Sequence, residues 1–169
     1  MSWIDNPMAL PKGWLRLLKF LLVFYALAIA IMCFTPNPQI FEGMETPNII
    51  YYGRLRLLLI PFNSFVGLKE VTSLFQLIWI FCQNLLNMFL LYPLILLVHI
   101  LSSRWQTYRK SLLLAFLISL FIECNQLLLD LAINANRVFE IDDLWTNSLG
   151  GFFAFMTYLL ISKNRIKRN

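Results

Sequence analysis

Ser111–Leu131 reads SLLLAFLISLFIECNQLLLDL. A helix needs about twenty predominantly apolar residues to cross the hydrocarbon core of a bilayer, and this run supplies them. Within it Ser119, Glu123, Gln126 and Asp130 fall at i, i+4, i+7 and i+11, which draws one stripe down one helix face. A carboxylate such as Glu123 inside a span is by default a functional-site hypothesis. The bland alternative is a structural Glu123 paired with an arginine.

The composition agrees with a membrane setting. Of 169 residues, 59% are hydrophobic and 14% charged, and 15 are Phe, far from the averages of a soluble domain. The apolar residues come in runs, so a greasy soluble helical bundle is disfavoured. The formal net charge of +5 implies an acidic macromolecular partner only if the charges share one exposed face. They are instead dispersed around the spans, which excludes nucleic acid and leaves membrane lipids as partners. Cys33, Cys82 and Cys124 all sit in apolar runs with no CxxC and no His/Cys cluster, so no metal, no cofactor and no disulfide framework is expected. They read as small apolar packing residues.

Three further runs span by the same criterion. The first is about Leu15–Phe34, entered by Arg16 and Lys19 and ended by Thr35-Pro36, since Pro cannot continue a helix. Ala26-Leu27-Ala28 resembles a signal-peptide cleavage triplet, but the apolar run continues to Phe34, as in a retained anchor. The second is about Leu74–Leu101. Asn84 and Asn87 share one face of it, and Pro93 is expected to kink it. Amides in hydrocarbon seek partners, so that face points into the bundle, as helix–helix glue or as part of a site. His99 at the far end reads as interfacial. The fourth span is about Asp142–Ile161. The expected fold is an all-α, integral membrane four-helix bundle, as one domain over residues 1–169.

Between the first two spans, Glu42 and Glu45 mark a loop, and Arg54–Phe62 reads RLRLLLIPF. This piece is too short to cross. It is expected to be interfacial or re-entrant, with Arg54 and Arg56 serving either lipid phosphate or a site. Basic residues set the orientation. Lys12, Arg16, Lys19, Arg104, Arg109, Lys110, Lys163, Arg165, Lys167 and Arg168 fall on one side, and Arg54, Arg56, Lys69 and Arg137 on the other. The first side is therefore expected to be cytoplasmic, with both termini inside.

The outer end then carries Arg137–Gly151, RVFEIDDLWTNSLGG. Asp142 or Asp143 is placed to cap the fourth helix, because a carboxylate there accepts from free first-turn amides. Capping does not account for Arg137, Glu140 and both aspartates together. Asp143, Asn147, Gly150 and Ala154 share a face, and Gly150 with Ala154 allows close helix approach.

The set Ile60-Pro61-Phe62, Asn84/Asn87 with Pro93, Ser119…Glu123…Gln126 and Arg137-x-Phe139-x-x-Asp142-Asp143…Asn147-x-x-Gly150 resembles the VanZ-like family over roughly Arg54–Phe155. Two departures stand out: Glu140 replaces the family's usual Asp, and no Gly follows Pro93. The resemblance implies a bacterial cell-membrane protein linked to resistance to teicoplanin, a glycopeptide, and it supplies no settled reaction. Two functions follow. In one, Arg54, Arg56 and Arg137 grip phosphate bidentately while Asn84, Asn87, Ser119, Glu123, Gln126, Glu140, Asp142, Asp143 and Asn147 complete an outer pocket. That pocket would bind a lipid-linked cell-wall precursor or a glycopeptide. In the other, Glu123 with Asp142 or Asp143 performs acid–base catalysis on a lipid-linked phosphate or cell-wall precursor, or acids hold Mg²⁺ or Ca²⁺.

Overall fold

The computed structural model describes residues 5–36, 47–70 and 73–166. Glu42 and Glu45 of the loop between the first two spans, and Lys167 and Arg168 of the basic tail, lie outside the described residues. Four long helices carry the fold: α1 (Lys12–Phe34), α3 (Leu74–Leu101), α4 (Tyr108–Ile133) and α5 (Ile141–Ile166), with a single-turn α2 (Asn63–Val66) between the first two. Each long helix contains a window long and apolar enough to cross a membrane. Local sequence sets their ends. Ser73 and Thr107 cap α3 and α4 by accepting from the amides of Gln76 and Lys110, and Asn134 ends α4 in the left-handed conformation that Asn tolerates. α1 begins at Lys12 and α4 at Tyr108, each about one turn before the apolar run that predicts it.

The bundle is apolar outside and buries many polar side chains beside an apolar core of Leu91, Ile95, Ala115 and Ile122. Phe20, Ile31, Leu74, Leu86, Phe121, Leu128 and Leu160 are exposed, whereas His99, Ser111, Ser119, Glu123, Gln126, Asp130, Thr146 and Asn147 are buried. Lipid is as apolar as a leucine side chain, so association rests on close packing and interhelical hydrogen bonds. α5 is the central helix and packs most extensively on α3 and α4, while α1 lies lightly against the bundle and buries only Ile29 and Cys33. Gly150 and Gly151 make the central position possible. A Cβ on Gly150 would run into the carbonyl of Met88 on α3, and one on Gly151 would lie 2.6 Å from the Ala115 Cβ and 3.0 Å from the Ser111 carbonyl on α4.

A small sheet joins the helices. β1 (Ile50–Tyr52) and β2 (Leu55–Leu58) form an antiparallel hairpin, turned by Gly53 at φ +61°. β3 (Phe139–Glu140) adds to β2 in parallel, with Leu57 opposite Phe139 and Leu58 opposite Glu140. The expected interfacial or re-entrant segment is thus largely a hairpin. The alternation Arg54-Leu55-Arg56-Leu57 after Tyr51-Tyr52-Gly53 is the period-2 signal for it.

Two expectations are corrected. His99 is fully buried rather than interfacial: its Nε2 lies 2.9 Å from Ser111 Oγ, and its ring packs on Phe155 and Tyr158. Of the cysteines only Cys33 is buried; Cys82 and Cys124 are exposed on α3 and α4.

Candidate functional site

Four carboxyls gather where β3 meets α5. The sheet register fixes Glu140 beside Leu58, and the start of α5 delivers Asp142 and Asp143. The polar stripe of α4 brings Glu123, whose Oε2 accepts from the Glu140 backbone N–H at 2.9 Å. From α3, Asn87 donates to Asp143 Oδ1 and Gln83 donates to Glu140 Oε1 at 3.4 Å. Ser119 donates to the Asp143 carbonyl at 3.1 Å and accepts from Asn147 Nδ2 at 2.9 Å. Asn84 donates to Ser64 Oγ and to the Ile80 carbonyl.

Asp142 ties the start of α2 to α5. Its Oδ1 accepts from the Phe62 backbone N–H at 2.7 Å and from the Trp145 indole N–H at 2.9 Å. Phe62 sits at φ 57°, ψ 36°, a left-handed conformation that costs a bulky residue about 1–2 kcal/mol. The Asp142 bond and ring contact with Trp145, at 5.2 Å between centroids, hold it there. Asp142 Oδ2 stays buried without a hydrogen-bond partner.

The arginines go elsewhere. Arg54 Nη1 donates to the Leu131 carbonyl at 3.1 Å, at the end of α4. Arg56 pairs with buried Asp130 at 3.7 Å. Arg137 donates to the Met32 and Thr35 carbonyls at the end of α1. Cations at helix C-termini satisfy orphan carbonyls and oppose the helix dipole. The predicted α4 stripe therefore divides. Ser119 and Glu123 face the acid cluster, whereas Gln126 donates to the Cys33 carbonyl at 3.2 Å and Asp130 holds Arg56 and the Arg137 backbone N–H. Arg54, Arg56, Gln126 and Arg137 thus make their contacts with the frame, and the structure does not bring them together with the acid cluster. Among the described residues the one close ion pair is Arg56–Asp130, so Glu123, Glu140, Asp142 and Asp143 have no basic partner in contact.

Beside this cluster lies a cavity lined by Leu58, Asn63, Ser64, Ile80, Gln83, Asn84, Asn87, Glu140 and Asp142. Its interior measures about 10 Å³ for a water-sized group, room for about one water molecule. Asn63 and Ser64 were not predicted. They belong to α2, whose polar pair follows Pro61-Phe62 and carries no signal of its own. Glu140 as a residue is half-buried, but its carboxyl is enclosed. Burial pushes that carboxyl well above its ordinary value of 4.5, and the carboxyls of Asp143, Glu123 and Asp142 push it the same way, against a smaller opposing effect of the Gln83 amide. Among the described residues no group of three or more His, Cys, Asp or Glu side chains is placed to hold a metal ion.

No curated protein and no solved structure matches the chain. A family model described as VanZ/LLP1 matches residues 22–162. That range takes in the later part of α1, all of α3 and α4, most of α5, the hairpin and every cavity-lining residue, and the protein belongs to the VanZ/LLP1 family.

Proposed function

We propose that this VanZ-family membrane protein is a binding protein. Its carboxyl–amide cavity engages the polar head of a cell-envelope component at the outer leaflet of a bacterial membrane, with both termini cytoplasmic. Through that contact it supports tolerance to glycopeptides such as teicoplanin. The observation that carries this reading is the cavity itself, where Glu140 and Asp142 meet Gln83, Asn84 and Asn87 with no arginine in contact. Charged groups beside lipid are expensive and mark functional sites by default. Several of the other polar residues already have a structural account as helix–helix hydrogen bonds or helix-end caps.

The test is teicoplanin tolerance in cells carrying Asn84→Leu or Glu140→Gln, with protein abundance measured in parallel. Tolerance should fall by about tenfold, the equivalent of one hydrogen bond to a charged group, at unchanged abundance. Loss of both together would place these residues in the frame instead.

One observation favours a second reading. Burial raises the proton affinity of the Glu140 carboxyl, which lines the same cavity as Asp142 with its unpartnered Oδ2, a pairing that general acid–base chemistry uses. An outer-leaflet enzyme acting on a lipid-linked phosphate or cell-wall precursor would convert such a lipid when purified protein is added. Recovery of unaltered, co-purifying lipid supports binding.

A further inference from the structure

The hydrogen-bonding capacity of the cavity is one-sided. Asn84 donates both N–H bonds of its amide, to Ser64 Oγ and to the Ile80 carbonyl at 2.9 Å. A carbonyl can only accept, so the orientation of this amide is fixed by chemistry. Asn63 is fixed likewise, donating to the Pro47 carbonyl at 3.1 Å and accepting from Asn48 at 2.8 Å. Gln83 and Asn87 donate to Glu140 and Asp143. Each of these amides thus spends at least one N–H within the protein, and Asn84 spends both. The buried group left without a partner in the cavity lining is an acceptor, Asp142 Oδ2, on a residue only 3% exposed.

A space lined by two carboxyls, with room for about one water molecule, selects its occupant. A phosphate is too large and has the wrong sign. A quaternary ammonium is too large and has no N–H to give. A primary ammonium is the size of a water, carries a positive charge and offers three donors. We infer that the cavity is a receptor for a primary ammonium group, whose carrier remains outside. This deepens the binding role proposed above and rests on it. The carrier is either a lipid headgroup or a soluble amine.

The probe is ethanolamine hydrochloride, titrated into the purified full-length protein in phosphatidylcholine nanodiscs. Tryptophan emission is the readout, because the Trp145 indole donates to Asp142. Ethanolamine should give a saturable change, and choline chloride and sodium chloride at equal ionic strength should not. An equal response to either salt overturns the assignment. Nanodiscs that also contain phosphatidylethanolamine separate the two carriers. Suppression of the ethanolamine response there assigns the ammonium to a lipid, and an unaltered response assigns it to a soluble amine.

Asp142→Asn should weaken ethanolamine binding by about tenfold or more, as loss of a charged partner does. Asp142 also holds Phe62 and Trp145, so a second variant separates binding from folding. Gln83→Lys places a tethered ammonium at the cavity wall. It should abolish the ethanolamine response and raise the melting temperature; a folded Gln83→Lys protein that still binds ethanolamine would sink the inference. Loss of tolerance in cavity variants, with no ethanolamine response in the parent, overturns the amine assignment and leaves the binding role standing. Ethanolamine binding with tolerance unchanged in those variants does the reverse.

Discussion

Arg137 closes the first helix by donating to the Thr35 carbonyl through two nitrogens, Nε at 3.1 Å and Nη2 at 2.6 Å. Nη2 also reaches the Met32 carbonyl at 2.6 Å. A planar guanidinium can serve two acceptors at once, which an ammonium does less well. α1 buries only Ile29 and Cys33, so this latch and the Gln126 bond to Cys33 hold much of its C-terminal end.

Arg137→Ala should therefore loosen α1 rather than empty a ligand site. The expected cost is about 1–2 kcal/mol, discounted because these bonds are solvent-exposed. Arg137→Lys should recover only part of it. Thermal unfolding in detergent reads the effect. An unchanged melting curve together with lost tolerance would return Arg137 to the pocket.

The two glycines of α5 should differ in whether they can be rescued. Gly151→Ala meets the Ala115 methyl first, so Ala115→Gly in the same chain should restore much of the lost stability. Gly150→Ala meets the backbone of Met88, which no side-chain change can remove. Overpacking of this kind costs about 1–3 kcal/mol, and more is expected at Gly150. Equal rescue of both by neighbouring truncations would contradict the packing described.

The Glu140 carboxyl gives stability a pH slope of defined sign. Burial raises its proton affinity in the fold above the ordinary 4.5. Below that value both folded and unfolded chains are protonated, and Glu140 adds no slope. As pH rises above it, the unfolded chain releases the proton first, so the folded state loses stability until its own carboxyl ionises. The melting temperature should fall as pH rises above about 5, and Glu140→Gln should flatten that fall. A rise over the same interval in the parent, absent in Glu140→Gln, would mean that Glu140 is ionised and favourably placed.

The proposed orientation predicts opposite labelling at the two ends of the bundle. In a background without native cysteines, Tyr52→Cys on the hairpin, 77% exposed, should react with an impermeant maleimide on intact cells. Arg104→Cys, in the turn between α3 and α4, should react only after permeabilisation. The reverse pattern would invert the topology and place the cavity on the cytoplasmic side.

Much of this protein was legible from composition and spacing. Four apolar runs of bilayer length leave few alternatives, because backbone groups in hydrocarbon must be satisfied within each segment. The i, i+4, i+7, i+11 spacing put Ser119, Glu123, Gln126 and Asp130 on one face, and all four are buried. The small pair Gly150 and Ala154 pointed to close packing at a place where α5 does press on α3. The hairpin also had a readable signal, although a short apolar run beside two arginines looked equally suited to the membrane interface.

Only the tertiary structure decided how the polar residues divide their roles. A sequence shows that arginines and acids are both present, and attraction between opposite charges makes it natural to pair them. The fold instead turns Arg54 and Arg137 to helix ends and gives Arg56 to Asp130, leaving Glu123, Glu140, Asp142 and Asp143 to amides and backbone. Those partners lie far apart along the chain: Met32 with Arg137, Phe62 with Asp142, Leu58 with Glu140. Such meetings depend on how helices and strands lie in space, which local periodicity does not encode. The same arrangement encloses a small cavity lined by Glu140, Asp142 and the amides of Gln83, Asn84 and Asn87.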